Sequence, residues 1–340
     1  MRVALALGSG GARGYAHIGV IEELRERGHE IIGIAGSSMG ALVGGLEAAG
    51  KLDDYAQWAG SLTQRAVLRL LDPSITAAGV LRAEKILDAV REILGDVTIE
   101  NLAIPFTSVA TDLITGRSVW LQRGPLDDAI RASIAIPGMI SPHVLDGRLL
   151  ADGGILDPIP MAPIAAVNAD MTIAISLSGE DPESGHREPQ PRPTADRWNR
   201  LWRNTSASLL DTKAARTLLE TPSARVMLGR FSSLGDDPTE PPEIPGDPAA
   251  DTQESTDGTD SPVPKLGSFD VMNRTIDIAQ SALARHTLAA YPPDLLIEVP
   301  RTVCRSLDFH RATEVIEIGR ELAIMALDTL GDKQTPPSEH

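Results

Sequence analysis

The 340-residue chain carries 31 Lys and Arg against 47 Asp and Glu, a formal charge of −16. Together with few aromatics, 4 Trp, 3 Tyr and 4 Phe, that acidity excludes nucleic acid as the main partner, whose affinity comes from cations on phosphates and rings on bases. A hydrophobic fraction of 42% suffices for one large or two ordinary domains, and the lone Cys304 excludes an internal disulfide and a Cys-based zinc set.

Val3 to Leu7 reads as a first buried strand. It is too short for a signal-peptide core, and no apolar run approaches the roughly 18 residues of a membrane span, so the expected address is the cytoplasm. Gly8 to Gly14 is a Gly-rich loop, and Ala16 to Arg27 a helix with Ile18, Ile21 and Leu24 on one stripe and Gly28 as terminator. Ile31 to Ala35 is a second buried strand that runs into Gly36-Ser37-Ser38-Met39-Gly40 and then a helix of small residues, Ala41 to Ala49. Leu62 to Leu71 reads equally as a core helix or as a lid over an acyl chain. Glu84 to Leu94 is a helix and Pro105 to Ala110 a strand. Asp146-Gly147 between apolar flanks is a hairpin signal that delivers the chain to Asp152-Gly153-Gly154. Thr172 to Leu177 closes this half as a core strand. Short apolar runs alternating with helical periodicity describe a parallel sheet with crossover helices.

The organisation then changes. A polar linker at 179–195 leads to a helical insertion at 196–234, in which Trp198, Trp202, Thr205 and Leu209 share one stripe near Arg197, Arg200 and Arg203. That stripe either packs on the core or gives peripheral contact with an anionic membrane at its inner face. Residues 235–264 hold nine acidic residues, no basic ones and seven prolines, a composition that predicts disorder. A C-terminal part at 265–330 completes the core, with a helix over 269–288, a strand over 295–299 and a helix over 310–327, and 331–340 reads as a disordered tail.

Three segments carry chemistry. Gly36-x-Ser38-x-Gly40 between a strand and a helix has the setting of a nucleophile elbow, in which Ser38 stands at a helix N-terminus that favours a developing anion; the alternative is a serine that only caps the helix. Gly8-Ser9-Gly10-Gly11-Ala12-Arg13-Gly14 fails as a dinucleotide fingerprint because Arg13 stands at the sixth position, and no Gly-Lys-Ser/Thr follows. What remains is a loop of backbone N–H groups suited to an oxyanion, or a tight turn without a ligand. Asp152, after a strand and before two glycines, is the best-placed general base, against a turn-forming Asp-Gly. None of the seven histidines stands out as a base: His17 is placed to brace the Gly-rich loop, and His29, His143, His186, His286, His310 and His340 fall in turns, late helices or polar segments.

Taken together, Leu5 to Val20, Gly36 to Gly40, Ala132 to Pro142 and Asp152 to Pro160 resemble the patatin-like phospholipase family, especially its compact bacterial members, over about residues 1–178 and again weakly over 269–299. The resemblance implies a three-layer α/β/α sandwich around a mainly parallel sheet, with residues 1–178 as its catalytic core. It implies a cofactor-free, calcium-independent hydrolase of phospholipid or lysophospholipid acyl esters, with a Ser38–Asp152 dyad and no catalytic histidine. Gly10, Gly11, Ala12 and Arg13 then form the oxyanion hole, supported by Gly8, Gly14, Gly36, Gly40, Gly153 and Gly154, and no metal is called for. Ser9 and Asp157 depart from the family pattern, which usually has Gly and often Asn there. The alternative class is a catalytically silent scaffold of the same fold that binds a membrane or partner. Oligomeric state is not legible.

Overall fold

A computed structural model of the chain describes residues 1–70, 84–137, 139–179 and 268–334. The chain divides into two units, Met1–Ser184 with Lys265–His340, and Gly185–Pro264, and every described residue belongs to the first. The polar linker from 180 on, the helical insertion with Trp198 and Trp202, the acidic segment and residues 335–340 lie outside the described residues.

The described strands form one eight-stranded sheet. They are β1 (Arg2–Leu7), β2 (Glu30–Ser37), β3 (Phe106–Asp112), β4 (Arg117–Leu121), β5 (His143–Leu145), β6 (Arg148–Asp152), β7 (Met171–Gly179) and β8 (Leu295–Pro300). The order is β5-β6-β3-β2-β1-β7-β8, with β4 also on β3. The strands from β3 to β8 along that path are parallel, while β4, β5 and β6 run antiparallel to their neighbours. The helices are α1 (Ala16–Glu26), α2 (Met39–Ala48), α3 (Leu52–Gly60), α4 (Gln64–Leu70), α5 (Glu84–Leu94), α6 (Leu126–Ser133), α7 (Met161–Ile164), α8 (Ser268–Ala290) and α9 (Ala312–Gln334). No helix among the described residues is long and apolar enough to cross a membrane.

Strand periodicity sorts the core into two unequal layers. Val3, Leu5 and Leu7 of β1 and Ile173, Ile175 and Leu177 of β7 point into a large cluster with α1, α2, α3, α6 and α9. The alternate residues Ala4, Ala6, Ala35 and Ala174 face a thin second cluster with Ile159, Met161, Ile164 and Ala284, which brings α7 and α8 onto the other face. Helices on both faces bury β1 from Val3 onward, which is why that stretch is a continuous apolar run, whereas β3 is buried along its whole length with Thr107, Ser108, Thr111 and Asp112 among its residues. The result is the α/β/α sandwich that the motifs imply.

Local differences have local causes. β2 runs to Ser37, beyond the expected Ala35, because β3 continues to pair with Gly36 and Ser37. The Gly-rich loop tightens into a 3₁₀ turn at Gly11–Tyr15. α9 continues to Gln334, past the point where composition ends the core. At the predicted hairpin both Asp146 (φ 49°) and Gly147 (φ 74°) adopt the left-handed conformation of a type I′ turn.

Helix α9 packs on α1 at glycine contacts: a Cβ on Gly319 would lie 2.1 Å from the Ala16 carbonyl oxygen, and one on Gly19 1.9 Å from that of Ile316. Backbone at such a contact cannot rotate away. Gly319→Ala is therefore expected to cost about 1–3 kcal/mol by overpacking, net of the about 1 kcal/mol that Ala gains over Gly in a helix. Urea unfolding of the full chain measures it, and a neutral or stabilising effect contradicts the packing.

Candidate active site

Strand β3 brings the candidate residues together. Its residues 108–112 pair with β4, so β2, at residues 106–109, and β6, at 110–112, must share its opposite edge. β2 is parallel to β3 and ends at Ser37 opposite Val109; β6 is antiparallel and ends at Asp152 opposite Ala110. Two strands thus converge end to end, and their next residues meet.

Ser38 follows Ser37 directly, with φ 57° and ψ −122°, one of two non-glycine residues with positive φ among those described. L-residues bear strain there, and such strain persists only where the surroundings enforce it. Here the flanking glycines do so: a Cβ on Gly36 would lie 2.2 Å from the Gly40 carbonyl oxygen, and one on Gly40 2.1 Å from that of Leu7. The Ser38 N–H donates to Ser133 Oγ at 2.9 Å, and Ser133 Oγ donates to the Val109 carbonyl at 2.5 Å. Ser133 is fully buried at the end of α6 and ties the elbow to β3. It lies in a segment that the resemblance marked, but nothing in its spacing signalled this contact.

Ser38 Oγ donates to Asp152 Oδ2 at 2.5 Å. The other carboxylate oxygen, Oδ1, accepts the Gly154 N–H at 2.7 Å, and the Asp152 N–H donates to the Ala135 carbonyl at 3.0 Å. Asp152 is 3% exposed, and burial pushes its carboxyl up to about 6, against the opposing pull of the Ser38 hydroxyl and the Gly154 N–H. A Cβ on Gly153 would lie 2.1 Å from the Val109 carbonyl oxygen, and one on Gly154 2.5 Å from Ser9 Oγ. Asp157, the departure from the family pattern, is also raised to about 6 by burial.

The Gly-rich loop is held in pieces. The N–H groups of Gly8, Ser9 and Ala12 donate to the carbonyls of Ile175, Pro158 and Ser306 at 3.0, 2.8 and 2.9 Å. Ala12 is therefore removed from the expected oxyanion donors, because its N–H is already paired. Arg13 acts through its side chain, with Nε donating to the Gly10 carbonyl at 3.2 Å. Among the described residues, no acceptor pairs with the N–H of Gly10 or Gly11. Gly8, Gly10 and Gly14 serve packing: a Cβ on each would come within 3 Å of Ile175, Leu177 and Met39 respectively. Buried His17 places Nε2 at 2.9 Å from the Gly8 carbonyl, and burial lowers its pKa to about 4, so the ring is neutral and braces the loop as a donor. Among the described residues no histidine hydrogen-bonds Ser38 or Asp152.

A cavity open to solvent begins at Ser38 and Gly11. Its walls are apolar: Leu42 of α2, Trp58 of α3, Val67 and Leu70 of α4, Leu87 of α5 and Met139 among them. α4, the segment read as either lid or core helix, is one of these walls.

The family model of patatin-like phospholipases matches residues 5–165. An uncharacterized NTE family protein of Mycobacterium tuberculosis is 67% identical over 331 residues, covering 96% of this chain and 91% of that protein. The lysophospholipase nte1 of Emericella nidulans is 32% identical over 187 residues, 53% of this chain and 12% of that protein. The neuropathy target esterase sws of Drosophila melanogaster is 30% identical over 186 residues, 53% of this chain and 13% of its own length.

The raised Asp152 carboxyl has a consequence for stability. A folded-state pKa of about 6 against an ordinary 3.8 means that the folded chain holds the extra proton between those values. The contribution to stability is fully present below about 3.8 and is lost as pH rises through about 6. Asp152→Asn removes the ionised form and keeps the shape, so its melting temperature should exceed that of the wild type above pH 6, with the gap closing toward pH 4. Thermal melts across that range check it, and a gap that widens on acidification reverses the sign.

Proposed function

Because the chain belongs to the patatin-like phospholipase family, we propose that it is a serine hydrolase of lipid acyl esters, of the phospholipase A or lysophospholipase type, with Ser38 as nucleophile and Asp152 as its base. The observation that carries this reading is the Ser38 Oγ to Asp152 Oδ2 hydrogen bond of 2.5 Å at the mouth of an apolar cavity.

The chemistry follows from the geometry. Ser38 Oγ attacks the ester carbonyl carbon while its proton passes to Asp152 Oδ2, and the carbonyl oxygen takes the negative charge. The Gly10 and Gly11 N–H groups are the donors for that oxyanion, fixed in place before charge develops. Collapse breaks the bond to the alcohol of the lipid, which leaves with the proton from Asp152 and gives an acyl-Ser38. Water then gives a proton to Asp152 and attacks the acyl carbon; a second collapse returns that proton to Ser38 Oγ and frees the fatty acid. The Ser133 hydrogen bond occupies the Ser38 N–H, which excludes that group as an oxyanion donor.

The cavity supports a lipid substrate. An acyl chain transferred from water to an apolar cavity gains about 0.8 kcal/mol per buried CH₂, whereas a short polar ester gains almost nothing there. Affinity should therefore rise with chain length until the cavity is filled.

Hydrolysis of p-nitrophenyl esters and of lysophosphatidylcholine tests the proposal. Ser38→Ala and Asp152→Asn, each confirmed as folded by its melting temperature, should lose at least about a hundredfold in rate, the lower range for a positioned base. A fluorophosphonate should label the wild type and leave Ser38→Ala unlabelled. Because Asp152 must be ionised to accept the proton, kcat/KM should fall on the acid side with a midpoint near pH 6. A wild type inert toward both esters and probe would favour the silent scaffold, and an active Ser38→Ala would sink the nucleophile assignment.

A further inference from the structure

The Gly10 carbonyl and the Gly11 N–H belong to one peptide plane, and in a trans peptide they point in opposite directions. Whatever holds the carbonyl therefore aims the N–H. Gly11 lines the cavity beside Ser38 with φ 58°, and the Gly10 carbonyl, as N-cap of the 3₁₀ turn, accepts the turn's first backbone N–H. Arg13 holds the same oxygen a second time through its side chain, with Nε donating to the Gly10 carbonyl at 3.2 Å.

Arg13 is itself held from the far end of the chain. It is 6% exposed, and one Nη lies 3.4 Å from Ser306 Oγ and 3.5 Å from Asp277 Oδ1. Ser306 grips the loop a second time, since its carbonyl accepts the Ala12 N–H at 2.9 Å and would lie 2.5 Å from a Cβ on Gly11. Asp277 sits on α8 with Gln280 and Ser281, which fall at i+3 and i+4 and so share its face. Gln280 lies 3.5 Å from Ser9 Oγ, and Ser281 Oγ accepts from Arg301. A nearly buried guanidinium without its carboxylate is strongly disfavoured, so Asp277 decides whether Arg13 stays in place.

We propose that Asp277 and Ser306, both outside the stretch that matches the family model, are positioning residues that aim the Gly11 N–H at the oxyanion by clamping the Arg13 side chain. The inference rests on the reading of Ser38 as nucleophile. It assigns to the C-terminal return of the chain a part in the reaction as well as in the core.

The test uses the full chain, a soluble p-nitrophenyl ester and a trifluoromethyl ketone, whose adduct with serine carries the oxyanion. A misaimed donor should cost less than the roughly 10²–10³ of a deleted one, so Asp277→Asn and Ser306→Ala should each lower kcat about tenfold with KM within about twofold. The ketone should bind about tenfold more weakly in both, because its affinity follows transition-state binding. Asp277→Glu should recover part of the loss. Since both residues act through Arg13, the double variant should be little worse than the poorer single one. If Asp277→Asn fails to fold, Ser306→Ala carries the same comparison. Folded variants with wild-type kcat and ketone affinity, alongside an inert Ser38→Ala, overturn the clamp and leave the dyad standing. An active Ser38→Ala overturns both.

Discussion

The site depends on one strand being shared. β3 gives a single edge to two strands that run in opposite senses, and their ends abut between Val109 and Ala110. A hydrogen-bonded ladder fixes positions to within tenths of an ångström along the whole strand, so the two chain ends meet with little freedom left. Ser38 and Asp152 are the residues at that junction. Their separation is a property of the sheet, which side-chain rotation alone cannot undo. Ser133 fixes the elbow to β3 through its two hydrogen bonds, and Gly153 lets the chain pass so close to β3 that a Cβ there would meet the Val109 carbonyl oxygen.

Holding the ends so tightly has an energetic cost that the fold carries elsewhere. Ser38 sits in a backbone region that costs of order 1–3 kcal/mol for a residue with a side chain. Asp152 is buried with two hydrogen bonds, from a hydroxyl and a peptide N–H, and burial outweighs both. The large cluster of α1, α2, α9 and the central strands offsets these penalties, because its side chains are fully buried and closely packed. The thin Ala-rich face has the opposite use, letting α8 approach closely enough for Asp277 and Gln280 to reach the Gly-rich loop.

The sequence made much of this legible because the relevant constraints are local. Val3 to Leu7 and Ile31 to Ala35 are buried on both sides, and continuous apolar runs followed by glycines announce strand-to-helix turns. The Asp146-Gly147 pair announced its own turn chemistry. What stayed hidden was non-local. Ser133, Asp277 and Ser306 lie far in sequence from the loops they hold, and a serine or aspartate on a helix or in a loop carries no periodic signal of its partner. Ala12 was misjudged for the same reason, since its N–H is taken by a carbonyl almost three hundred residues away. β4 and α6 were likewise unannounced: β4 is an edge strand in which only Val119 is buried, so its pattern is barely distinct from a loop.

The absence of a histidine from the proposed dyad follows from the same burial. A carboxylate at its ordinary 3.8 is a weak base toward a serine hydroxyl, and the usual remedy is an imidazole with a pKa nearer to 7. Here desolvation raises Asp152 to about 6, close to the value of free imidazole. At about 1.4 kcal/mol per pKa unit, the change makes proton transfer about 3 kcal/mol less uphill. It requires no third residue to orient the base, because Gly154 already fixes one carboxylate oxygen and leaves the other on Ser38. A histidine base needs a further hydrogen-bond partner to set its tautomer and orientation, a role that the Gly154 N–H fills for the carboxylate of Asp152. The turn that follows β6 at the shared strand edge thus supplies the orienting group along with the base.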